Sequence, residues 1–198
     1  MNPAPKAAAR LGLAALALLA LAACREEVAE LPAPVAMTEE AVGHYCQMDL
    51  FEHPGPKGQV HLAGLPDPLF FSQVRDAIAY QRMPEQSHMI AVIYVSDMGA
   101  PGAQWDDPGV ENWIAADAAH YVVGSTIAGG MGAPELVPFA DEALARAFAA
   151  QHGGEVLRLG AIPDAEVLAP VELEGDIGAD DDADWLERLR ALQTEQES

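Results

Sequence analysis

The stretch GHYCQMDLFEHPG, residues 43–55, sets a lone thiol between two other metal-binding side chains: Cys46 stands two residues after His44 and two before Met48. In a strand alternate side chains share a face, so this spacing places His44, Cys46 and Met48 on one side, with Tyr45 and Gln47 on the other. Soft sulfur donors select Cu(I) and pass over oxygen-preferring cations, and methionine is a poor ligand for zinc. A further thioether stands out in GSTIAGGMGAPELVPF, where Met131 lies between Gly129-Gly130 and Gly132, in a turned loop and not at a regular core position. We read Met131 as the ligand that completes a two- or three-sulfur site with Cys46 and Met48, and His44 as a reserve ligand or proton acceptor. A second reading of the same residues stays open: a free cysteine is a common small core hydrophobe, and methionines fill gaps.

The N-terminus decides what such a thiol meets. Lys6 and Arg10 precede the apolar run LGLAALALLALAA, which is too short for a comfortable membrane span and reads as a signal peptide over residues 1–23. It ends in Leu21-Ala22-Ala23-Cys24, the large-small-small-Cys order of a bacterial lipobox, so Cys24 is the expected lipidation site. The chain is then tethered by lipid and not by a spanning helix, and Arg25 after the acylated cysteine is compatible with sorting to the outer membrane. With Cys24 spent on lipid, Cys46 is the one remaining thiol, and no internal disulfide is possible.

Lys6 and Arg10 are two of the ten basic residues, so from Cys24 onward 8 basic side chains face 31 acidic ones, a formal charge of −23. That charge excludes nucleic acid as a partner and favours cations or a basic protein face.

The elements that must position the sulfurs form one pattern used twice. We expect an α+β fold of two tandem β-β-α-β modules, over residues 41–98 and 111–162, flanked by a lipid-anchored spacer at 24–40 and a mostly disordered acidic tail at 163–198. In the first module HYCQMDL and QVHLAG flank a turn as a hairpin, DPLFFSQVRDAIAYQR is a helix and HMIAVIYVSD a buried strand. In the second, NWIAADAAHYVVG and ELVPF are followed by the helix ADEALARAFAAQHGG and the strand EVLRLG. The linker falls near DMGAPGAQWDDPG. Within the tail, Trp185, Leu186, Leu189 and Leu192 recur at helical spacing.

Together HYCQM, FSQVRDAIAY, AVIYVSDMG, NWIAADAAHYVVGS and GGMGAPELVPF, in this order and behind a lipobox, resemble the nitrous oxide reductase accessory lipoprotein family, NosL, over residues 37–161. The resemblance implies a periplasmic Cu(I) chaperone whose two modules are similar to those of the organomercurial lyase family. It also implies partners: a membrane maturation complex, an ABC-type transporter with its periplasmic subunit, through which copper reaches the copper–sulfide centre of nitrous oxide reductase. Carried over residue by residue, the family's Cys-x-Met pair falls on Cys46 and Met48 and its loop methionine on Met131. Some relatives carry a further cysteine ahead of this pair; here the place is taken by VGH, which excludes a two-cysteine site.

Two rivals weigh against the chaperone. An enzyme built on Cys46 would need a cooperating cysteine or an oriented base, and neither follows from the sequence. A lipid-anchored adaptor, with the sulfurs as core and the acidic tail as the binding element, is the other. Trp105, Trp113, Tyr121, Phe70, Phe71 and Phe139 are read as core and interface aromatics, and Asp97, Asp106 and Asp107 as turn or solvent residues.

Overall fold

The short strand GQVHL, Gly58–Leu62 (β1), is buried at every position, which requires cover on both of its faces. Gly58, Val60 and Leu62 face helix Val74–Arg82 (α1), so closely that a methyl group on Gly58 would lie 2.6 Å from the Ala77 Cβ. The opposite face carries Gln59 and His61, two polar side chains that cannot be buried without partners. Gln59 Oε1 accepts from the Val35 N–H at 2.9 Å, and its Nε2 donates to the Val35 carbonyl at 3.0 Å. His61 Nε2 lies 2.8 Å from the same Oε1. Tyr94 Oη donates to the Pro32 carbonyl and the Met37 N–H to that of Val110, so the chain from Pro32 to Met37 seals this face.

This computed structural model describes residues 30–84 and 86–170. The signal peptide, Cys24 and the Trp185–Leu192 periodicity lie outside the described residues. Among the described residues no helix is long and apolar enough to cross a membrane.

From Pro32 onward the described chain forms one unit. Its first sheet has the order β2-β1-β3-β4, all neighbours antiparallel, with β2 at Leu69–Phe71, β3 at Ile90–Ser96 and β4 at Trp113–Ala115. The second sheet, β6-β5-β7, is also antiparallel, with β5 at His120–Val123, β6 at Val137–Phe139 and β7 at Glu155–Arg158. Helix Glu142–His152 (α2) joins β6 to β7 as α1 joins β2 to β3, so strand order repeats between the two β-β-α-β units. β4 breaks the symmetry: it comes from the stretch read as the start of the second unit but pairs with β3 of the first sheet.

One core runs through both sheets. Val60, Phe71, Val74, Ile78, Ile93 and Val95 pack in a continuous cluster with Tyr121, Val123 and Leu136. Each such fully buried side chain contributes about 1.5–3 kcal/mol. The alternate face of β5 presents Val122 to a smaller cluster with Val137, Phe139 and Ala145 under α2. α2 starts where Asp141 accepts from the Ala143 and Leu144 N–H groups, and ends where Gly153 and Gly154 take positive φ. A side chain at 154 would also come within 2.6 Å of the Val123 carbonyl.

Four expectations are corrected. HYCQMDL is no strand: residues 43–49 form turns and isolated bridges, with Gln47 at φ 56. The first hairpin is β1 with β2, so LFF, read as the start of the helix, is a strand, and α1 begins at Val74. The spacer is part of the fold from Pro32, because Gln59 and Tyr94 bond to it. The start of the acidic tail is ordered as helix Asp164–Leu168 (α3), which buries Val167 behind Ile162.

Candidate metal site

The loop that carries Cys46 is built to turn. Gly43 N–H donates to the Met48 carbonyl at 2.9 Å and Gln47 N–H to that of Gly43 at 2.8 Å, closing residues 43–48 on themselves. The Gln47 side chain reinforces this by donating to the Gly43 and His44 carbonyls. Gly43 is required: a methyl group there would fall 2.4 Å from Cys46 Sγ and 2.6 Å from Ser72 Oγ. His44 N–H donates to the Phe70 carbonyl at 2.6 Å, which pins the loop to β2.

The turn gives His44 and Cys46 different neighbours. The His44 ring lies 5.6 Å from that of Phe71 and 5.5 Å from that of Tyr80, in an aromatic cluster, while Cys46 Sγ sits 3.0 Å from Ser72 Oγ. Cys46 is a half-buried free thiol, and Met48 remains 39% exposed. A half-buried thiol and a more exposed thioether on one loop leave both sulfurs within reach of an incoming ligand, as a site that hands on its cargo would need.

Met131 arrives from the second unit on an equally tight loop. Gly129 N–H donates to the Ala133 carbonyl and Gly132 N–H to that of Gly129, leaving Met131 at the tip with 39% exposure. Its N–H donates to Gln73 Oε1 at 3.1 Å. Ser72 and Gln73 are adjacent, so the thiol loop and the thioether loop are fastened to consecutive residues at the start of α1. The structure thus ties the Cys46 and Met131 loops to neighbouring residues, with Met48 on the same loop as the thiol.

Two buried charged residues lie behind this point. Lys57 Nζ donates to the His53 and Gly55 carbonyls at 2.6 and 2.8 Å, and burial lowers its pKa to about 8 against the opposing pull of Glu135 and Cys46. Glu135 Oε1 accepts from the Arg75 and Leu136 N–H groups at 3.0 and 2.8 Å. Burial raises its pKa to about 8, opposed first by those two hydrogen bonds. Glu135 therefore caps α1 from the second unit, in place of a side-chain cap from its own N-terminal residue.

Sequence reasoning missed Ser72, Gln73, Lys57 and Glu135. Ser72 and Gln73 directly before a helical periodicity read as ordinary helix-start residues, and nothing local pointed at their contacts with Cys46 and Met131. Glu135, an acid at the head of the apolar run LVPF, was a visible anomaly. Of the aspartates left as structure, Asp97 accepts from the Gly99 and Ala140 N–H groups and Asp107 from that of Gly109. Among the described residues no three His, Cys, Asp or Glu side chains gather as a metal-holding group.

The NosL family model matches residues 34–167, a span that holds both sulfur-bearing loops and both sheets. The chain belongs to the NosL family. It is 61% identical over 183 residues to the copper-binding lipoprotein NosL of Achromobacter cycloclastes, across 92% of this chain and 94% of that one. It is 38% identical over 156 residues to the copper-binding lipoprotein NosL of Stutzerimonas stutzeri, across 77% of this chain and 79% of the relative. A crystal structure of the copper chaperone NosL from Shewanella denitrificans shares the fold with a TM-score of 0.61 at 32% identity, covering 68% of this chain and 99% of that one.

Proposed function

We propose that this chain is a lipid-anchored Cu(I) chaperone of the periplasm, held at the outer membrane through Cys24, and that it binds one Cu(I) through Cys46, Met48 and Met131. The observation that carries the reading is the shared anchorage of two sulfur loops: Cys46 on Ser72, Met131 on Gln73. Relatives described as copper-binding lipoproteins support it, as does the likeness to a copper chaperone of known structure. A thiolate with thioethers favours the soft monovalent ion, and partly exposed sulfurs allow transfer by ligand exchange without release of free copper.

Its destination, on this reading, is the membrane maturation complex that assembles the copper–sulfide centre of nitrous oxide reductase. The charge of −23 from Cys24 onward would steer the carrier towards a basic partner face, raising the encounter rate more than the final affinity. A binding and not a catalytic role for Cys46 is supported by the relatives, which are described as a copper-binding lipoprotein and a copper chaperone.

The test is an anaerobic titration of the chain with Cu(I) against a competing chelator, beside Cys46→Ala. One tightly bound Cu(I) per chain, lost with the thiol, is the expected result. Equal and weak binding by both proteins overturns the copper site and leaves the adaptor reading.

A further inference from the structure

A helix start normally spends its flanking polar side chains on its own free N–H groups. α1 does not: Gln73, its N-terminal cap residue, makes no side-chain cap bond, and the Arg75 N–H is satisfied by Glu135 from the second unit. The Gln73 amide points elsewhere: its Oε1 accepts the Met131 N–H at 3.1 Å. Its neighbour Ser72 contacts Cys46 Sγ at 3.0 Å. Both residues are almost wholly buried, at 3% and 2% exposure.

The surroundings are shaped to admit these contacts. A side chain at Gly129 would strike Gln73 Oε1 at 2.6 Å, and one at Gly43 would strike the Cys46–Ser72 pair. Two glycines, one in each sulfur loop, thus leave room for two adjacent polar side chains. We propose that Ser72-Gln73 is a positioning pair that sets the spacing between the Cys46 thiol and the Met131 thioether, with Gln73 acting on copper only through Met131. The inference rests on the copper reading and deepens it: the second unit supplies a ligand at a fixed distance because one buried amide holds its loop.

A double-mutant cycle on the full-length chain tests this. Gln73→Leu is close in volume and removes the acceptor without adding a sulfur. Cu(I) affinity in competition with a chelator is expected to fall about threefold to tenfold in the wild-type background, the scale of one hydrogen bond. In the Met131→Ala background the same change is expected to do less than about twofold, because nothing remains to position. Amide exchange at residue 131 in the copper-free protein is expected to quicken with Gln73→Leu, whatever the protein's metal affinity. Equal losses in both backgrounds overturn the inference while leaving the copper site standing. A wild type that binds no Cu(I) overturns the copper reading and the inference with it. Should Gln73→Leu not fold, Gln73→Asn, too short to reach Met131, enters the same cycle with the same outcomes.

Discussion

The hydroxyl of Ser72 lies 3.0 Å from the thiol of Cys46, across 26 residues of sequence. When a thiol gives its proton up to bind a metal, its sulfur can only accept hydrogen bonds, and Ser72 is the donor in place. Ser72→Ala should therefore weaken Cu(I) binding about threefold to tenfold, while Cys46→Ala abolishes it. Chelator competition on the two variants measures the difference. An unchanged affinity for Ser72→Ala would show that the hydroxyl only packs against the sulfur.

Gly43→Ala puts a methyl group 2.4 Å from Cys46 Sγ and 2.6 Å from Ser72 Oγ, so the thiol must move. The expected loss in Cu(I) affinity exceeds that of Ser72→Ala. Gly64→Ala is the control: at φ +81 with nothing within 4 Å, it costs about 1–2 kcal/mol of backbone strain and leaves copper binding unchanged. Paired titrations of the two variants decide, and wild-type affinity in Gly43→Ala would mean that the loop shifts freely.

Much of this architecture could be read from periodicity. The apolar spacing behind Asp141 and the glycine pair at 153–154 marked α2, and IAVIYVS marked β3. The sulfur residues were visible as types but not as geometry: alternation places His44 with Cys46, whereas Gly43 and a left-handed Gln47 turn the chain and send His44 to Phe71 and Tyr80. LFF carries apolar residues that fit a helix as well as a strand, and only pairing with β1 decides between them. Nothing local announces that Gln59 will hold Val35, or Gln73 the Met131 loop 58 residues away. Such contacts are fixed by the tertiary fold, and they are what holds the two sulfur-bearing loops to the start of α1.

The buried carboxyl of Glu135 makes stability depend on pH. Its pKa is about 8 in the folded protein and near the ordinary 4.5 when unfolded, so between those values the folded state binds more protons. Stability attributable to this group is then greatest at low pH and falls as pH rises from about 4.5 through about 8. Glu135→Gln keeps the acceptor for the Arg75 and Leu136 N–H groups and removes the titration. Melting temperatures recorded from pH 5 to pH 8 should decline less steeply for Glu135→Gln than for the wild type. Parallel curves would place the charge of Glu135 in balance with Lys57.

Arg75 ties the end of the described chain to α1. Its Nε donates to the Glu166 carbonyl at 3.1 Å and its Nη2 to that of Ala169 at 2.5 Å, a cation on the C-terminal carbonyls of α3. Arg75→Met retains the apolar stem, and with it most contacts of the side chain, but removes both charge-assisted bonds, at a cost of about 1.5–3 kcal/mol. Urea denaturation should show that loss. Hydrogen exchange should place it at residues 164–169 while the Cys46 and Met131 loops stay protected, because Ser72 and Gln73 hold those loops without the Arg75 side chain. Faster exchange at the Met131 loop as well would mean that α3 braces the copper site through α1, and the two ends of the domain would then have to be treated as one cooperative unit.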